Sequence, residues 1–133
     1  MLLVVVVSLV GGCSSSATKS RGTVAPIVER DFKIRAQRYE LPAGKVDLSV
    51  KNDGPDAHEL IVVRETDSTL PMRKDGLTVD EDAIEKQTVG ALEPGQPGGE
   101  RHLKVRLARG RYVLLCNMSG HYLGGMHTEL AVS

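Results

Sequence analysis

GRYVLLCNMSGHYLGGMHTELAV, residues 110–132, reads as two strands joined by a loop of chemically soft side chains. Before the loop, Tyr112, Leu114 and Cys116 recur at every second position. After it, Met126, Thr128, Leu130 and Val132 do the same, so each set shares one face of its strand. Cys116 thus closes one strand and Met126 opens the next, and a single edge of a β structure can carry both. His121 stands midway between them. A thiolate, an imidazole and a thioether within eleven residues suit a copper ion. Zinc sites rarely use methionine, and calcium and magnesium require oxygen.

The same period of two extends upstream. Phe32, Ile34 and Ala36 alternate with Lys33, Arg35 and Gln37, and after a turn at Pro42-Ala43-Gly44 the residues Val46, Leu48 and Val50 alternate with Asp47, Ser49 and Lys51. The turn formers Asn52 to Asp56 lead into His58–Arg64, where His58, Leu60 and Val62 share one face and Glu59, Ile61 and Val63 the other. A strand apolar on both faces is expected inside its sheet. Leu103, Val105 and Leu107 form a further inward set, with His102, Lys104 and Arg106 outward. Between these strands, residues 65–99 read as an irregular surface excursion. Thr78-Val79-Asp80-Glu81 has capping-box spacing for a short helix reaching about Gln87, with Gly90 as its stop, and Glu93 to Gly99 reads as a turn-rich connector. Met72 is the one excursion residue placed near the rim of the site. Six or seven strands with one helical excursion predict an all-β sandwich.

The chain has 133 residues, enough for one core, with 17 basic and 17 acidic side chains. The balance leaves no overall field for nucleic acid, and four aromatic rings offer little for base stacking. Residues 1–12 read as a lipoprotein signal peptide, because MLLVVVVSLV is apolar but too short to span a bilayer and Val10-Gly11-Gly12-Cys13 resembles a bacterial lipobox. Cys13 is then the lipidated residue, residues 13–30 a flexible tether, and residues 31–133 the folded domain. With Cys13 lipidated, Cys116 has no disulfide partner, and a metal is the economical holder of a lone thiol in an exported protein.

A trigonal copper plane needs two imidazoles and a thiolate, with methionine as a weak axial ligand. Strand parity selects the second histidine. His127 projects to the face opposite Met126, and His102 belongs to the polar face of its strand. His58 opens a strand whose inward face continues as Leu60 and Val62. The candidate ligands are therefore His58, Cys116, His121 and Met126.

NDGPDAHELIVV (52–63), GRYVLLC (110–116) and CNMSGHYLGGM (116–126) resemble the three characteristic stretches of the cupredoxins, the small blue-copper proteins, with ligand-loop spacing similar to rusticyanin and sulfocyanin. The resemblance covers residues 31–133. It implies a Greek-key β-sandwich with one type 1 copper held by His58, Cys116, His121 and Met126. It also implies no catalysis, but single-electron transfer between redox partners of an extracytoplasmic chain. The expected form is a monomer held to the membrane by its N-terminal lipid and facing the periplasm or the cell exterior. The alternative use of the same site is copper buffering, delivery or resistance; a metal-free immunoglobulin-like binding module is the third class. Glu59 departs from the family, several members having a neutral residue there, and parity turns its side chain away from the metal. Met118 is expected to pack or face solvent. Asn117 either locks the loop beside the thiolate or faces solvent.

Overall fold

The computed structural model describes residues 22–65 and 69–133. Two mixed sheets face each other. One is four-stranded, in the order β2-β1-β4-β7, formed by β1 (Thr23–Arg30), β2 (Lys33–Ala36), β4 (Gly44–Asn52) and β7 (Glu100–Leu107). The other is five-stranded, in the order β3-β9-β8-β5-β6, formed by β3 (Glu40–Leu41), β5 (His58–Arg64), β6 (Thr88–Gly95), β8 (Gly110–Leu115) and β9 (His127–Val132). Most pairings are antiparallel, but β1 runs parallel to β4 and β3 parallel to β9.

The inward alternation read from β4, β5, β8 and β9 is the alternation that is buried. Leu48, Val50, Leu60, Val62, Tyr112, Leu114 and Leu130 meet between the sheets in one cluster that also contains Cys116 and Met126. The strand pattern thus leads directly from core to site: the face that buries leucines ends in the candidate ligands. Tyr112 keeps its polar end satisfied inside this core by donating its hydroxyl hydrogen to the Ala108 carbonyl at 2.8 Å. As expected for a strand apolar on both faces, β5 lies inside its sheet. Its second face, Ile61 and Val63, is covered by Leu70, Met72, Val79 and Ile84 from the excursion.

Four readings are corrected by the structure. Residues 23–30, placed in the tether, are β1, an interior strand joined along its length to β4. Pro26 and the inward Glu29 had broken the apolar alternation. Pro26 is tolerated because β2 pairs only with Ile27–Arg30, leaving that side of β1 unpaired by a strand at the proline. Phe32 is not an inward strand residue: it sits at the β1–β2 turn with φ +58° and its ring is 52% exposed. The helix, α1, is only Glu81–Ile84 and is capped by Asp80 rather than Thr78, whose hydroxyl is engaged by Asp75. Residues 88–95, read as helix stop and connector, are the edge strand β6, which accommodates Pro94 near its end. The signal peptide, Cys13 and the first part of the tether lie outside the described residues. Among the described residues, no helix is long and apolar enough to cross a membrane.

Candidate metal centre

The site is assembled at one end of the sandwich from the start of β5, the end of β8 and the loop before β9. Asn52, fully buried at the end of β4, organises the turn that presents His58. Its amide donates to the carbonyls of Asp56 (2.8 Å) and Gly95 (2.9 Å), and its oxygen accepts from the Gly54 N–H at 2.9 Å. His58 follows, with no exposed surface. Its Nε2 lies 3.0 Å from Asp31 Oδ1, while its Nδ1 is buried with no hydrogen-bond partner. A carboxylate only accepts, so Asp31 selects the tautomer with the proton on Nε2 and leaves the Nδ1 lone pair free. Gly54 is required by close approach, since a Cβ there would lie 2.8 Å from Asp31 Oδ1 and 2.9 Å from His58 Nε2.

One donor atom each from His58, Cys116 and His121 lie within 4.8 Å of one another, and Cys116 Sγ is 3.5 Å from His121 Nδ1. A trigonal ion with bonds of about 2.0–2.3 Å sets its donors roughly 3.5–4 Å apart. The cluster fits a bound ion without large rearrangement. Met126, also fully buried, is joined to the same centre through the backbone: its N–H donates to the His121 carbonyl at 2.9 Å, and its carbonyl accepts from the Cys116 N–H at 3.1 Å. His102 and His127 are exposed, the first bonded to Asp47 and the second stacked on Tyr122, as parity requires.

Burial pushes the Cys116 thiol above its ordinary pKa, and backbone N–H groups of Met118 and Glu59 directed at the sulfur offset part of this. The sulfur thus has preformed donors for a negative charge, which a metal would stabilise. Burial likewise pushes the His58 imidazole below its usual value, against the pull of Asp31. His58 is held neutral, the form that ligates.

Asn117 proves to be the lock. Its side chain bonds both backbone groups of Val79, accepting from the N–H at 2.6 Å and donating to the carbonyl at 3.0 Å, and also donates to Glu81 Oε1 at 2.7 Å. Its own N–H donates to Glu59 Oε1 at 2.9 Å. Glu59 therefore braces the ligand loop from the opposite face of β5, and burial with the nearby charge of Glu81 raises its pKa. Gly120 adds a second tie, from its N–H to the Leu77 carbonyl at 3.1 Å. The excursion is thus a clamp on the ligand loop. Met72 packs on Ile61 and Val63 beneath it, and Met118 packs against the main core.

Sequence reasoning missed Asp31 and Phe32 as members of the site. Phe32 lies over the loop, its ring centroid 5.3 Å from that of His121, and a Cβ on Gly124 would collide with it. Neither residue could be found by spacing, because the β1–β2 turn reaches the site only through the parallel pairing of β1 with β4.

No protein-family model matches the chain, and no curated protein sequence matches it. Solved structures do match. Reduced auracyanin from Roseiflexus castenholzii superposes with a TM-score of 0.61 at 22% identity, covering 86% of this chain and 99% of that one. The cupredoxin fold is the fold of this chain. The azurin Az-iso2 of Methylomonas sp. strain J (TM-score 0.62, 13% identity, covering 85% and 99% of the two chains) shares it. So does rusticyanin from Thiobacillus ferrooxidans (0.59, 14%, covering 85% and 79%). Against that cupredoxin frame, the three clustered donors stand at the mouth of the sandwich and carry a donor set suited to copper.

Proposed function

We propose that the chain binds one copper ion in a type 1 site and carries single electrons between redox partners outside the cytoplasm. His58, Cys116, His121 and Met126 would hold the ion. The observation that carries this reading is the cluster of donors from His58, Cys116 and His121, in which His58 keeps a buried, unpartnered Nδ1. Copper supplies a one-electron change between its two common states. Everything else is the work of the chain. Asp31, the N–H groups directed at Cys116 and the Asn117 lock hold the donors in one arrangement, so little reorganisation accompanies the change. Four protein donors leave no position for a substrate, so the reading is a carrier rather than an enzyme. His121 is the port: it is partly exposed, and two of the exposed large apolar side chains, Phe32 and Leu123 (56%), flank its loop. A small apolar patch of this kind suits brief docking.

The lipid on Cys13 and the extracytoplasmic placement belong to the same proposal and rest on the sequence of residues 1–13, and the proposed form is a monomer. The competing use, copper buffering or delivery, would draw on Met118, which packs against the cluster that holds Cys116 and Met126, more than on Met72 or Glu59. Met72 packs beneath the excursion and Glu59 is committed to the Asn117 N–H. Voltammetry of the copper-loaded protein distinguishes the two readings. A reversible one-electron wave with retention of the metal supports the carrier; loss of copper to an acceptor in each cycle sinks it.

A further inference from the structure

The outward face of the four-stranded sheet concentrates positive charge in a chain whose formal charge is zero. Arg30, Lys33 and Arg35 project from β1 and β2, where Val28 stands opposite Arg35 and Arg30 opposite Lys33. Lys45 and Lys51 project from β4, and Lys104 and Arg106 from β7. Asp47, Asp53 and Glu100 oppose them on this face, and His102 lies within ion-pair distance of Asp47 and Glu100. Of the cations, Lys51 alone has an ion-pair partner among the described residues, Asp53 at 3.4 Å.

The register sets opposite charges across from each other at two positions, Asp47 with Lys104 and Lys51 with Glu100, but like charges at two others, Arg30 with Lys33 and Lys45 with Arg106. Such like-charge pairs destabilise a sheet. The other side of the molecule shows the ordinary arrangement, with Arg111 bonded to both Glu65 and Glu129. Between the cations runs an apolar seam, Val24 (60% exposed), Pro26 and Val28. Exposed apolar side chains flanked by Lys and Arg are the chemistry of a surface that lies on anionic lipid.

The chain path favours lipid over an acidic protein. Gly22 and Thr23 enter β1 beside Lys45 and Val46, at the end of this face remote from the Asp31 turn and the donor cluster. With β1 inside the fold, only residues 14–22 separate Cys13 from the domain, and even fully extended they reach no more than about 30 Å. An anchor at Cys13 would hold this face at high effective concentration over the bilayer, so weak attraction suffices.

We infer that the basic outer face of the four-stranded sheet docks on an anionic lipid surface, laying the domain against the membrane with the donor cluster at its free end. The inference rests on the membrane placement proposed above but not on copper, so its test uses metal-free protein. The chain from Gly22 to Ser133 contains every described strand and both apolar clusters. It is mixed with vesicles of phosphatidylglycerol and phosphatidylcholine, or of phosphatidylcholine alone, and sedimented, with circular dichroism confirming the fold of each variant. Expected is binding to the anionic vesicles alone, lost at high salt. Arg35→Gln and Lys104→Gln each weaken it about fivefold, the factor that corresponds to ~1 kcal/mol per cation at a lipid surface. Lys86→Gln, beyond α1 on the other side, leaves it unchanged. The inference is overturned by equal binding to neutral vesicles, by no binding, by equal losses from Lys86→Gln, or by capture on polyglutamate without capture on vesicles, which would make the occupant an acidic protein.

Discussion

Asp31 and Glu29 sit two residues apart at the end of β1 and do different things with a carboxylate. Asp31 accepts from His58 Nε2 and makes the imidazole a stronger donor through its negative charge. Asp31→Asn preserves an acceptor but removes the charge, so the Cu(II) affinity should fall by about 10- to 100-fold and the reduction potential should rise. Metal competition and voltammetry read the two effects separately. Gly54→Ala should perturb the same pair sterically, shifting the copper spectrum without changing any charge. Glu29 is fully buried beside Arg101, and burial, against the opposing pull of Arg101, raises its pKa from 4.5 to about 7. The folded chain therefore holds a proton that the unfolded chain has released between those values, so this group's contribution to stability falls as pH rises through that window. Thermal melts should show Glu29→Gln gaining on the wild type between about pH 5 and pH 8 and matching it most closely at the acid end. A constant difference across that range would contradict the assignment.

At the scale of elements, the excursion from Leu70 to Gln87 has two structural tasks, covering Ile61 and Val63 and holding the ligand loop through Asn117. Asn117→Ala leaves the buried backbone groups of Val79 without partners. It should destabilise the fold by about 1–3 kcal/mol and speed copper release, seen in melting and in chelator kinetics. Strand parity made β4, β5, β8 and β9 legible because a half-buried strand must alternate, and the same parity brought His58 to Cys116 and excluded His102 and His127. It failed where another constraint overrode alternation: at Pro26 and Glu29 in β1, at Phe32 with its positive φ, and at the edge strand β6, whose Gly90 and Pro94 look like loop residues. Asn117 left two readings open because its partners, Val79 and Glu81, are more than thirty residues away and reach it only through tertiary packing.

The whole molecule has two working ends and one charged flank. The chain enters β1 at one end, the donors cluster at the other, and the basic face runs between them along β1 and β4. A metal that binds only the folded donors must stabilise the entire domain, by about 2.7 kcal/mol at a free concentration one hundred times its dissociation constant. Copper-loaded protein should therefore melt higher than metal-free protein, and Cys116→Ser should abolish most of that increment. On the proposed function, Cys116 is a thiolate ligand in a copper site completed by His58 and His121. The most direct test is the visible spectrum of the purified protein titrated with Cu(II). One equivalent of an intense thiolate-to-copper absorption is expected, absent in Cys116→Ser, lost in His58→Ala and only shifted in Met126→Leu; no such band in the wild type, or a band that survives Cys116→Ser, would overturn the assignment of Cys116.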